Sequence, residues 1–273
     1  WNRVETLTAR SNPAMAFDAA RGVTVLYGGL ASYSGPAPSL DDTWEWDSTS
    51  WHLRSTTNRP PPLCRHAMAY DLRRKRTVLF GGMTTGTSSP EYRAGLWEWD
   101  GTQWLNIAVR GPWPAARADH ALAYDVVRGR VVLFGGRDAN NRILDDTWEW
   151  DGQRWTERSP SSRPPRLVDH SLAYDVARAR TVLFGGSEYD ATNRWRGPSA
   201  RLWEWDGSTW LPRVAANAPT ARTDHASVYD LNRNEILIHG GQSVRGDEIH
   251  AWNGSVWSTR RSSSSPGDRS GHA

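Results

Sequence analysis

The stretch Asp146-Thr147-Trp148-Glu149-Trp150-Asp151-Gly152-Gln153-Arg154-Trp155 carries three tryptophans in ten residues, the first two flanking an acid. It is not alone. "DDTWEWD" occupies 41–47, "LWEWDG" 96–101 and "LWEWDG" 202–207. In each copy a further tryptophan follows the second Trp by five residues, at Trp51, Trp104, Trp155 and Trp210; Trp252 and Trp257 keep that relation in a fifth. Working outward, a glycine pair precedes each motif: Gly28-Gly29, Gly81-Gly82, Gly135-Gly136, Gly185-Gly186 and Gly240-Gly241. Fifteen residues before each pair stands Pro13, His66, His120, His170 or His225. Five residues after that anchor is always Asp, and three further on always Arg: Asp18 and Arg21, Asp71 and Arg74, Asp125 and Arg128, Asp175 and Arg178, Asp230 and Arg233. A recurrence of about fifty residues signals a repeat architecture, each unit burying its faces against its neighbours.

Each unit reads as four short strands. "HAMAYD" alternates and forms strand a; "RTVLFGG" is a β-rich run closed by glycines and forms strand b. "DTWEWD" forms strand c, and the segment from the last Trp forms strand d. Links such as "DLRRKR" join a to b, and "DGTQ", "DGQR" and "DGST" supply Asp-Gly turns between c and d. No helix-length stretch shows a 3.6 period. The prediction is an all-β chain, a β-propeller of four-stranded antiparallel blades in one domain spanning 1–273, which leaves only short, protected edges. The five repeats span approximately 11–60, 61–114, 115–164, 165–219 and 220–266. Residues 1–10 resemble a strand d and 267–273 the start of a strand a of a further repeat; five complete blades closing a ring is the favoured arrangement.

The glycine pair behind an apolar strand, with aromatics spaced after it, resembles the kelch repeat family. That resemblance covers nearly the whole chain and implies a propeller. It implies no single function, because one propeller fold hosts oxidases, isomerases, adaptors and scaffolds. Galactose-oxidase-like members use a Tyr–Cys cofactor with Tyr and His ligands; nothing matching surrounds Cys64, so that activity is not implied.

Composition narrows the classes. Of 33 basic residues only Lys75 is a lysine, and the arginines are scattered among 30 acids at a net charge of +3. Nucleic-acid binding wants clustered charge and is not expected. No apolar run approaches 18 residues, so membrane insertion is not expected. Cys64 is the single cysteine, which excludes an internal disulfide. The chain opens at Trp1 without a methionine, as a processed or excised piece would, and this tilts the expected compartment toward secreted or periplasmic. A monomer is expected.

Fourteen of the 17 tryptophans hold repeat positions. A buried Trp removes ~200 Å² from water, ~5 kcal/mol as an upper estimate, so these residues are read as packing between blades. Glu45, Glu98, Glu149 and Glu204 fall on the opposite strand face and are read as buried carboxylates bonded to a neighbouring blade. Each Asp-x-x-Arg is read as a turn-closing pair.

Function is sought where the repeat departs from itself. Strand parity puts the a–b and c–d links on one face and the b–c and d–a links on the other. The second set is long and irregular, and variable loops on a rigid scaffold carry binding. They hold the ligand-binding candidates Tyr33, Tyr92, Arg93, Trp113, Arg137, Arg142, Tyr189, Arg194 and Trp195, a composition suited to an interface or sugar stacking. Arg65, Asp119, His120, Asp169, His170, Asp224 and His225 are placed at the channel mouth. In the fifth repeat His239 replaces an aromatic and His250 the first Trp; with His225 they reach a metal-ligand count, although no cofactor is otherwise expected. The reading is a recognition module for a protein or carbohydrate. The alternative is an enzyme at the channel mouth, a sugar-processing isomerase or oxidase or a His-metal lyase, with no catalytic residue assigned.

Overall fold

The computed structural model describes residues 6–31, 37–86, 89–242 and 248–260. Their regular structure is strand throughout. Five four-stranded antiparallel sheets each run a-b-c-d in spatial order. Blade 1 comprises Ala14–Asp18, Val23–Tyr27, Thr43–Trp46 and Trp51–Arg54. Blade 2 comprises Ala67–Asp71, Arg76–Phe80, Leu96–Trp99 and Trp104–Ile107, and blade 3 Ala121–Asp125, Arg130–Phe134, Thr147–Trp150 and Trp155–Arg158. Blade 4 comprises Ser171–Asp175, Arg180–Phe184, Leu202–Trp205 and Trp210–Arg213, and blade 5 Ala226–Asp230, Glu235–His239, Ile249–Trp252 and Trp257–Arg260. The chain is thus the all-β, kelch-like propeller that the repeat predicts. No helix of the described residues is long and apolar enough to cross a membrane.

Local chemistry fixes each strand end. At the a–b link, Asp71 Oδ1 accepts the Arg74 amide at 3.0 Å and Oδ2 its guanidinium at 2.7 Å. Asp125 and Arg128, and Asp175 and Arg178, repeat this turn closure. The glycine pair ends strand b because the next blade leaves no room for a side chain. A Cβ on Gly81, whose φ is +70°, would lie 2.7 Å from the Arg117 carbonyl and from the His120 ring.

The core lies between blades. Small and apolar residues of one blade, such as Ala67, Ala69, Val78 and Phe80, meet Leu122, Leu133, Trp148, Trp150 and Trp155 of the next. Eleven of the fourteen repeat tryptophans are buried; Trp46, Trp51 and Trp203 are half-buried. The strand-c Glu, sealed from water in all four copies, accepts an indole N–H from the following blade: Trp99 to Glu45, Trp150 to Glu98, Trp205 to Glu149 and Trp252 to Glu204, at 2.9 to 3.3 Å. Arg21, Arg74, Arg128 and Arg178 of the a–b links close on the same carboxylates. A buried charge is tolerable only when paired and bonded, and each Glu meets that condition.

Four junctions are built this way, between consecutive blades. Blades 5 and 1 also face each other, but across a groove of about 390 Å³ lined by Met15, Phe17, Val228, Leu237, His239 and Ile249 among others. Phe17 and Val228 are 58% and 60% exposed. Both sides of this seam depart from the repeat. Phe17 stands where the hydroxyls of Tyr124 and Tyr229 accept amide N–H groups of the preceding blade, Pro13 replaces the histidine, and Ala251 replaces the glutamate. Ser48 replaces the turn glycine: at Gly152 a Cβ would sit 2.6 Å from Arg74 of the previous blade, whereas Ser48 takes the same left-handed turn with φ +80°. The terminal stretches that resemble a further repeat, 1–10 and 267–273, lie largely outside the described residues.

Candidate functional site

The long connections share one face. In blade 3 the d–a residues Arg117–Ala118 pair with Arg137–Asp138 of the b–c loop, and in blade 4 Arg166–Val168 pair with Ser187–Tyr189, which continue into Trp195–Pro198. Neighbouring loops are also tied together. Asn193 accepts the Ile143 amide and donates to the Asn141 carbonyl, both at 2.8 Å, and Thr85 donates to Ser39 and to Ala37. Among the described residues, the opposite face carries only the tight a–b and c–d turns.

At the centre of the loop face the chain repeats one backbone device. Asn12, Arg65, Asp119, Asp169 and Asp224 precede the five inner strands in the left-handed conformation, with φ between 51 and 60°. The amide of each donates to the carbonyl of its predecessor at 3.0 to 3.1 Å, from Arg65 round to Asp224. Left-handed φ favours Asn and Asp, which accounts for four of these five residues. The arc points its side chains into a cavity of about 100 Å³ lined by Asn12, Pro13, Arg65, His66, Asp119, His120, Asp169, His170, Asp224 and His225. All seven channel-mouth residues of the sequence analysis are therefore gathered; Asn12 and His66, absent from that set, were readable as members of the same register.

Charge at the mouth is uneven. Arg65 donates to Asp119 at 2.8 Å. Among the described residues the Asp224 carboxylate accepts only the Thr223 hydroxyl, at 3.1 Å. The Asp169 carboxylate makes no hydrogen bond or ion pair among the described residues. Burial, reinforced by the Asp119 and Asp224 charges, pushes the Asp169 carboxyl well up, with Arg65 and Arg137 offsetting this in part. Burial likewise raises Asp224. Three of the histidines are held neutral: burial pushes His66 and His170 down to about 3 and, with the Arg117 charge, drives His120 well below its usual range. One ring nitrogen of each faces a carbonyl of the preceding blade, but neither nitrogen completes a hydrogen bond.

The loop candidates divide. Trp195 is 59% exposed and stands across from Tyr189 on its hairpin, with Arg194 exposed beside it. Arg142 is open at the tip of the blade 3 loop, while Arg137 is half-buried near the mouth with its Nε unbonded. Tyr92 and Arg93 line a cleft of about 420 Å³ between blades 1 and 2. Trp113 belongs elsewhere: its indole N–H donates to the Ala94 carbonyl at 2.7 Å and its ring packs on Phe80, so it is a packing residue and not an open stacking surface. Tyr33 lies outside the described residues.

The three histidines of blade 5 are not brought together as a metal site. Register places His239 opposite Ala226 and His250 opposite Ile238, so the two rings leave the sheet on opposite faces. His250 Nε2 meets Arg222 at 3.0 Å and Nδ1 meets Thr259, standing in for the carboxylates that hold Arg10 and Arg117 in blades 1 and 3. His225 meets the Ser171 hydroxyl and packs on Phe184, while His239 lines the seam. Among the described residues no group of His, Cys, Asp or Glu has the geometry to hold a metal ion.

The geometry defines a propeller with one irregular, side-chain-rich face. The KLHDC2/KLHL20/DRC7 Kelch-repeats domain matches residues 96–273, and the chain belongs to the kelch-repeat family. It is 30% identical over 140 residues to the dynein alpha chain of the flagellar outer arm of Chlamydomonas reinhardtii, covering 48% of this chain and 3% of that protein. It is 33% identical over 85 residues to dynein regulatory complex subunit 7 of the same organism, 31% of this chain and 7% of that one. A third relative is tRNA wybutosine-synthesizing protein 4 of Emericella nidulans, 32% identical over 140 residues, 47% and 12%. The chain therefore spans only a small part of the length of these relatives.

Proposed function

We propose that this propeller is a protein-recognition module whose loop-bearing face holds a partner segment, centred on the channel mouth. One observation carries the reading: where most repeat tryptophans are buried between blades, Trp195 is offered to solvent on a hairpin braced against its neighbour. An exposed aromatic on a rigid support, with arginines around it, is the make-up of an interface anchor. The relatives, which include one named as a subunit of a regulatory complex, support the same reading.

The test compares faces. A partner recovered with the wild-type protein should be lost, by tenfold or more in affinity, on Trp195→Ala combined with Arg194→Ala. It should be retained on Arg154→Glu, an exposed position of the opposite face. Equal retention by both variants overturns the reading. Loss of a glycan in place of a protein from the first variant would assign the same face to carbohydrate.

A further inference from the structure

We propose that the channel mouth is a seat for one primary ammonium group, the head of a lysine side chain of the bound protein. The inference rests on the recognition reading above and names the chemistry at its centre. Three carboxylates, Asp119, Asp169 and Asp224, are gathered on the arc, while the cations near them are Arg65, spent on Asp119, and Arg137, which makes no ion pair among the described residues. Three acids against two arginines leave one negative charge uncompensated, and the Asp169 carboxylate makes no hydrogen bond or ion pair among the described residues.

A second observation is independent of the acids. His66, His120 and His170 line the same cavity, are only 5 to 6% exposed, and leave both ring nitrogens without hydrogen bonds. Buried polar groups in folded proteins are nearly always satisfied. Each neutral imidazole keeps one acceptor nitrogen, and an ammonium brings three donors and no acceptor. The cavity of about 100 Å³ has room for about three waters at ~30 Å³ each, which suits a compact head better than an aromatic or a folded peptide. Metal ions are disfavoured because the acids and histidines do not converge in ligand geometry.

Occupancy should be linked to pH. The Asp169 carboxyl is raised by burial and by Asp119 and Asp224, with Arg65 and Arg137 opposing and the buried His120 and His170 rings neutral. Below its titration Asp169 holds a proton, which an incoming ammonium must displace, so binding weakens as pH falls through that range.

The experiment titrates the isolated propeller with Nα-acetyl-lysine N-methylamide and with its Nε-acetylated analogue, followed by NMR of the histidine Cε1 protons. The lysine probe should bind with an affinity of about 1 mM, and the neutral analogue at least tenfold more weakly. Asp169→Asn should weaken the lysine probe by about tenfold or more. Asn accepts the left-handed backbone and keeps the main-chain link, and the Asp224→Asn variant gives a second reading. Equal response to both probes, no response to either, or full binding by Asp169→Asn would overturn the proposal. These results need no partner and so are separate from the face comparison. If Trp195→Ala with Arg194→Ala loses the partner while Asp169→Asn keeps it in full, the recognition reading stands and the ammonium seat is wrong.

Discussion

Trp113 and Trp195 occupy the same class of loop, and physics separates them. Trp113 has a bonded indole N–H and a ring on Phe80; truncation to Ala leaves a void and an orphaned carbonyl, at a cost of ~2–4 kcal/mol. Trp195→Ala, at 59% exposure, should fall within about 0.5 kcal/mol of wild type. Urea denaturation of both variants checks this, and a large loss for Trp195→Ala would mean that it too is a packing residue. Neither fate can be read from two lone tryptophans in irregular segments, because burial depends on which loop lies alongside. The blade 5 histidines make the same point. Their sequence positions are close, but strand parity sends His239 and His250 to opposite faces.

At the level of the blade, the repeated acid is the element that joins one sheet to the next. For Glu204, burial would raise the carboxyl, but hydrogen bonds and charge from Arg178 and Arg213 outweigh it and hold the group below its ordinary range. A depressed folded value contributes stability that is present above the unfolded value near 4.5 and is lost as pH falls through the folded one. Glu204→Gln should therefore destabilise the protein at pH 6 and flatten the acid end of its stability profile, measured by denaturation between pH 6 and 3. A profile parallel to wild type would contradict this. The pairing of each Glu with the next blade was legible from strand alternation. The guanidinium of the a–b link closing on the same carboxylate was not, because Arg and Glu lie far apart in sequence and meet only through sheet order.

Across the whole molecule the histidines and the seam set the response to stress. His66 and His170, pushed down to about 3 by burial, must charge on unfolding at a value near 6.5. Their contribution is complete above pH 6.5 and declines as pH falls toward 3, by up to ~1.4 kcal/mol per pH unit for each ring. His170→Phe should make the loss between pH 6.5 and 5 shallower, measured by thermal unfolding. In a repeat array each unit contacts only its neighbours, so end units have fewer partners to hold them. Blades 5 and 1, which among the described residues meet across the groove at Phe17 and Val228, should exchange their amide hydrogens faster than blades 2 to 4. Uniform protection across all five blades would show that the seam is closed in solution.

Alone, the sequence was enough to establish the repeat, the four-strand unit, the face that bears the long loops and the packing role of most tryptophans. These follow from period and parity, which are local properties of a chain. Only the tertiary structure decided that the mouth gathers three acids with one bonded arginine, that Trp113 is held inside while Trp195 is offered outside, and that among the described residues the fifth junction lacks the contacts of the other four. Each of these depends on distances between residues some fifty positions apart or more, and no local pattern sets how closely two such residues approach.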